Sequence, residues 1–280
     1  MTYFLSDLSI YPIKSIKGIP LKSSQVSAEG LWGDRRYMII KPNGEFITGR
    51  EYPTLTLIKS EWIKRGIWKL SHPSHPNFIE INSDDLSTEH QDVLIWDDTL
   101  RAQKAKENIN TWFSDVLNES VCLVHFSEQS KRFTSRRPES PVAFADGYPF
   151  LLTTRASLEE LNTTCTQAIA MTQFRPNLVI QGNSAFEEDS WKRIRIGDVE
   201  FENVKPCIRC IFTTLDPETA ERLPKGEPLK TLGKFRLLDN KGITFGINMI
   251  ALNSGEIHVN DKVEVLEYKT PETYTDRRKK

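Results

Sequence analysis

Apolar residues recur along this chain mostly at every second position and in short bursts. Residues 4–11 run Phe-Leu-Ser-Asp-Leu-Ser-Ile-Tyr, and alternation of this kind predicts a half-buried strand. Comparable stretches, rich in β-branched and aromatic residues, occupy 24–28, 36–41, 54–60, 68–71, 78–81, 92–95, 101–104 and 121–125, with turn formers such as Pro42-Asn43-Gly44 between them. Helical spacing appears twice. Over 105–117, Ile109, Trp112, Phe113, Val116 and Leu117 share one face. At 157–162, Ser157 with Glu160 three positions on has the spacing of a capping box. Residues 128–146 carry Arg132, Arg136 and Arg137 among Ser, Thr and Pro without an apolar period, which predicts a loop or a junction between halves. Strands are predicted again at 178–181, 193–196, 199–204, 211–215, 244–252 and 262–267, with hairpin-type turns at Gly197-Asp198 and Asn253-Ser254-Gly255. Many short strands spaced by roughly 8 to 12 residues predict a mostly β (α+β) molecule of barrel or sandwich type.

Composition narrows the function classes. At 280 residues the chain fits one large domain or two interlocked ones. Lys and Arg total 37 against 38 Asp and Glu, so bulk charge points to neither nucleic acid nor a membrane surface. No run approaches 18 apolar residues and the first residues read as a strand, so neither a span nor a signal peptide is predicted. Cysteines at 122, 165, 207 and 210 do not make a disulfide framework, and a reducing cytoplasm is the expected setting. A Gly-rich phosphate loop and the spacing of an iron–sulfur motif are both missing from the sequence.

The most chemical segment is Lys205-Pro206-Cys207-Ile208-Arg209-Cys210-Ile211-Phe212-Thr213-Thr214-Leu215-Asp216-Pro217. A thiolate is the nucleophile and the metal ligand, and flanking cations favour it. Structural zinc would need four ligands, whereas only one Cys-x-x-Cys exists here. A thioredoxin-like pair would sit at a helix N-terminus, against which the β-rich 211–215 argues. A buried inert pair also remains open. Three polar clusters lie far away in sequence: Lys14-Ser15 after the first strand, Asp34-Arg35-Arg36, and Arg175-Pro176-Asn177. Each alone reads as a solvated strand end, but together they supply the Arg, Lys, hydroxyl and amide groups that hold an anionic, polar cofactor. Asp216 is the nearest carboxylate after Cys210, placed either to position a substrate proton or to cap the turn before Pro217.

In order, Ile10-Tyr11-Pro12-Ile13-Lys14-Ser15, Gly33-Asp34-Arg35-Arg36-Tyr37, Phe144-Ala145-Asp146-Gly147-Tyr148-Pro149, Phe174-Arg175-Pro176-Asn177 and the 205–217 segment resemble the MOSC family, the molybdenum-cofactor sulfurase C-terminal domain, in its arrangement with an N-terminal β-barrel domain. The resemblance implies a β-rich N-terminal domain over 1–126, whose first strand joins the next domain, a MOSC β-barrel over 127–268, and a flexible basic tail over 269–280. Within the family the likeness is to the amidoxime-reducing components and their bacterial relatives. That implies a molybdenum cofactor (Mo-molybdopterin), no pyridoxal phosphate, and reduction of hydroxylamines, amidoximes and N-hydroxylated bases. By the same carry-over Cys210 is the thiolate on molybdenum and a catalytic residue, with Asp216 as a second catalytic candidate. Cys207 is expected to be structural or to support it. Lys14, Ser15, Arg35 and Arg175 grip the pterin and its phosphate, while Gly147, Tyr148, Asn177, Arg209 and Asn248 complete the cofactor-binding set. Electrons are expected from a separate flavoprotein or ferredoxin-type donor, because the chain stops soon after its last strand. With no anchor ahead of that first strand, no membrane or nucleic-acid partner is expected. The competing expectation is a carrier of cofactor, or of sulfur on Cys210, without turnover.

Overall fold

Seven strands close into a barrel, in the order Phe150–Thr154, Leu178–Gln181, Tyr3–Ile10, Lys262–Tyr268, Trp191–Ile196, Val199–Ile208 and Gly242–Ala251, with the last pairing back onto the first. This is the computed structural model of the chain, describing residues 2–64, 66–238 and 242–278. Alternation drives closure. Leu5, Leu8, Phe150, Leu152, Ile194, Phe201, Ile247 and Met249 all point into one core and are at most 1% exposed, each worth about 1.5–3 kcal/mol relative to exposure. Where the barrel shuts, Gly246 has φ 75°, and a Cβ there would lie 2.6 Å from the Leu152 carbonyl oxygen. Only glycine meets both demands. Phe150–Thr154 and Leu178–Gln181 are parallel, so a crossover is required, and helix Arg155–Thr164 lies within it.

The strand Tyr3–Ile10 pairs antiparallel with Leu178–Gln181 and Lys262–Tyr268, so the first strand is a stave of the later barrel. The chain then leaves to form a four-stranded sheet of Tyr37–Ile40, Cys122–His125, Asp98–Ala105 and Leu86–Ile95. Helix Glu107–Leu117 covers it with Ile109, Trp112 and Phe113. Buried Asn110 on that helix donates to the Ala105 carbonyl at 3.2 Å and accepts from Leu123 N at 2.9 Å, which stitches helix to sheet. Two small three-stranded sheets complete this part: Lys59–Lys64 with Ile67–Ser71 and Ile79–Ile81, and Gly255–His258 with Ser23–Ser27 and Gly30–Leu31. Among the described residues no helix is long and apolar enough to cross a membrane.

Several local expectations are corrected. Residues 211–215 are not a strand but a 3₁₀ turn, Ile211–Thr214, because the hydroxyls of Thr213 and Thr214 bond back to the Cys210 and Ile211 carbonyls at 3.0 and 2.7 Å. Such local bonds compete with a ladder. Over 54–60 the 3₁₀ turn Pro53–Leu57 precedes the strand. Thr154, not Ser157, caps the second helix, its hydroxyl accepting from Ser157 N at 3.1 Å. The strand after Asn253-Ser254 pairs with Ser23–Ser27 instead of folding back as a hairpin. The 269–278 segment, expected to be flexible, docks on the barrel domain. Tyr274 lies over the Arg236 guanidinium at 3.9 Å, and Arg277 N donates to Lys234 O at 2.6 Å. Arg278 lies over Phe235 at 4.0 Å and pairs with Glu160 at 2.6 Å.

Candidate functional site

A cavity of about 380 Å³ opens where one end of the barrel meets the N-terminal sheet, and Lys14, Ser15, Arg35, Gly147, Tyr148, Arg175, Asn177, Arg209, Cys210 and Asn248 all line it. Segments separated by more than half the chain are thus brought to one place. Asp216 is not among the lining residues. Its carboxylate accepts from Glu218 N at 2.8 Å, and its backbone exchanges bonds with Ala220 and Glu221, as a turn-capping aspartate does.

The cationic side is built on unusual backbone. Ser15, Arg35 and Arg175 have φ of 74°, 46° and 57°, a left-handed conformation that costs a non-glycine residue roughly 1–2 kcal/mol. Strain of this kind concentrates where side chains must be aimed. Arg35 Nη1 donates to both carboxylate oxygens of buried Asp34, at 2.8 and 2.7 Å, and Nη2 donates to Arg175 O at 3.2 Å. Burial pushes the Asp34 carboxyl up, and the Arg35 charge opposes that shift. Arg175 donates to the Ile16 carbonyl at 2.6 Å, and burial followed by the nearby Arg35 charge lowers its pKa to about 10. Lys14 donates to Phe144 O at 3.0 Å and pairs with Asp146; burial lowers its pKa, and Asp146 works against that. Asn177 is occupied with the fold, accepting from Leu151 N and donating to Ser9 O, both at 3.2 Å.

The thiol side follows from the end of Val199–Ile208. Cys207 accepts from Arg209 Nη1 at 2.9 Å, Arg209 Nη2 donates to Phe174 O at 2.7 Å, and Arg209 Nε is buried without a partner among the described residues. Cys210 follows directly, its carbonyl held by Thr213 N at 3.1 Å. All four cysteines are free thiols. Lys205 lies over the Tyr148 ring at 5.2 Å. Among the described residues no three His, Cys, Asp or Glu side chains gather as a metal-binding group, so a metal on Cys210 would take its other ligands from a bound molecule. The donor set fits such a molecule: the soft thiols of Cys207 and Cys210, and Lys14, Arg35, Arg175, Lys205 and Arg209 around the same cavity. A Cβ at Gly147 would meet no atom within 4 Å, so that glycine leaves room in the lining rather than relieving a clash.

Arg132, read from the sequence only as part of a loop, organises the wall. It is 6% exposed, pairs with Asp98 at 2.7 Å, and donates to the carbonyls of Ala143, Ala145 and Asp146. Sequence reading also missed Thr48 and Arg50, which the N-terminal half contributes to the cavity. Arg50 lies over the Trp96 ring at 4.3 Å, and Arg222 donates to its carbonyl at 3.2 Å. Between Thr48 and Arg50, Gly49 admits the Phe212 ring, which a Cβ would meet at 2.3 Å, a contact that only the folded chain reveals.

Residues 2–120 match the MOSC N-terminal beta barrel domain and residues 139–264 the MOSC domain. The chain is 33% identical over 291 residues to mitochondrial amidoxime-reducing component 1 of Mus musculus, covering 94% of this chain and 82% of that protein. It is 32% identical over 277 residues to mitochondrial amidoxime reducing component 2 of Homo sapiens, covering 92% and 82%. Molybdenum cofactor sulfurase of Oryza sativa subsp. japonica is 29% identical over 263 residues, covering 87% of this chain and 32% of that protein.

Proposed function

The chain belongs to the MOSC family, and on that premise we propose that it is a molybdenum-cofactor-dependent reductase of N-hydroxylated compounds. The observation that carries this reading is the convergence of Cys210 with Lys14, Arg35, Arg175 and Arg209 on one cavity. The similarity to amidoxime-reducing components supports the substrate class. When bound, the cofactor supplies two-electron redox chemistry at molybdenum. Cys210 would provide the thiolate to the metal, while Lys14, Ser15, Arg35 and Arg175 would hold the pterin phosphate through charge-assisted hydrogen bonds. Arg209 faces Cys207, and its Nε, without a partner among the described residues, offers a further donor to an anionic ligand. Tyr148 and the walls shaped by Arg132 would limit water at the reacting end. The overall change is R–NH–OH + 2e⁻ + 2H⁺ → R–NH₂ + H₂O. A separate flavoprotein or ferredoxin-type protein would supply the electrons.

Protein made in a cofactor-competent host is expected to carry molybdenum and fluorescent pterin, and to convert an amidoxime to the amidine under anaerobic chemical reduction. Cys207→Ser is expected to lower that rate by at most about 10–100-fold, the scale of losing a group that supports a metal ligand, and Cys210→Ser by more. Equal losses in both variants would sink the assignment of Cys210. Bound cofactor without amidine formation in the unaltered chain would support the carrier role instead, a role in keeping with the similarity to a sulfurase.

A further inference from the structure

Beneath the cation-rich wall lies a residue with no role so far. Tyr11 is 3% exposed, and the guanidinium carbons of Arg35 and Arg175 stand 4.2 and 4.1 Å from the centroid of its ring. Its hydroxyl donates to Pro176 O at 3.3 Å, its N–H to Asp34 Oδ1 at 2.7 Å, and its carbonyl accepts from Arg35 N at 2.8 Å. Every polar group of Tyr11 therefore ties to a residue flanking one of the two arginines or to an arginine itself. Two guanidiniums this close repel, and among the described residues Arg35 is ion-paired with a carboxylate, Asp34, while Arg175 is not. The negative face of an aromatic ring attracts both.

We propose that Tyr11 is a positioning residue whose ring clamps Arg35 and Arg175 together, so that both guanidiniums are presented to one anionic group of the cofactor. The proposal rests on the reading of the cavity as a cofactor site. It assigns the ring, not merely the volume, of Tyr11 to ligand binding. A tyrosine that only filled the core would be replaceable by any side chain of similar size.

Three variants separate these roles. Tyr11→Phe keeps the ring, Tyr11→Met fills similar space without a π face, and Arg175→Met removes one of the clamped charges. The first readout is the dissociation constant of released molybdenum cofactor, followed by pterin fluorescence. It is expected to change by less than about threefold in Tyr11→Phe and to rise by about tenfold or more in Tyr11→Met, the scale of a desolvated cation–π contact. The second readout needs no cofactor: urea-unfolding midpoints of Tyr11→Met, Arg175→Met and the double variant. Clamping predicts that Tyr11→Met lowers the midpoint clearly in the native background and much less once Arg175 is gone. Equal cofactor affinity for Tyr11→Phe and Tyr11→Met, or a Tyr11→Met loss undiminished in the Arg175→Met background, overturns the clamp. Should the unaltered chain bind no cofactor while the unfolding cycle still shows the coupling, the cofactor reading fails and the clamp stands as a structural device.

Discussion

Ser15 is nearly buried, lies beside Lys14 in the cavity wall, and holds φ of 74°. Glycine would adopt that backbone without the Cβ penalty, so Ser15→Gly is expected to raise stability by up to about 1 kcal/mol in urea titration while lowering the fraction of chains that retain cofactor. A stability loss would mean that the Ser15 side chain serves packing rather than ligand binding. The opposite balance holds for Arg236, which with Asp189 forms an ion pair whose two side chains are 4% and 6% exposed. Arg236→Met leaves that carboxylate buried and unpaired, an arrangement that costs about 3–5 kcal/mol. Thermal unfolding should show the loss although the pair lies outside the cavity lining.

At the scale of elements, the two arginines of the cavity wall and the tyrosine ring they both contact lie near strand ends, and strand ends are where the sequence was easiest to read. Alternation located most barrel strands because one face is core and the other meets solvent; Val199, Phe201 and Asn203 against Glu200 and Glu202 in Val199–Ile208 make the pattern plain. Phe150–Thr154 escaped the same reading because all five of its residues are buried, which erases the period. Ile211–Thr214 misled in the other direction, since its β-branched residues serve a turn closed by threonine hydroxyls. The lining residues were legible where short motifs put a cation next to a turn, as at Lys14-Ser15 and Arg35. Arg50 and Arg132 were not, because their roles depend on pairing across the fold. The docked 269–278 segment belongs at this scale too. Tyr274→Ala removes the ring that lies on Arg236 and is expected to cost about 1–2 kcal/mol, read as a lowered unfolding midpoint. No change would show that the segment rests on the barrel without stabilising it.

Across the whole molecule, half-buried His125 and buried Glu188, in different halves, give opposite pH dependence. Burial, with the Arg36 charge adding to it, lowers His125 from 6.5 to about 4. The unfolded chain therefore takes up a proton first, so stability falls as pH drops from about 6.5 towards 4. Burial, reinforced by Asp189, raises Glu188 from 4.5 to about 7, so its protonated form stabilises the fold below about 4.5 and that stability is lost as pH rises through 7. Relative to the unaltered chain, His125→Phe is expected to unfold at higher temperature near pH 5 than near pH 7, and Glu188→Gln to gain more at pH 7 than at pH 5. Parallel shifts at both pH values would contradict these assignments. The barrel itself has a consequence for synthesis. Phe4 must register against Gln181 and Lys262, so the first stave has only its local pairing with Ile19–Leu21 at hand early and completes its ladders after residues 178–181 and 262–263 have been made. Closure of the barrel is then a long-range event, and until it occurs the first strand keeps unpaired positions that a neighbouring polypeptide or a chaperone can reach.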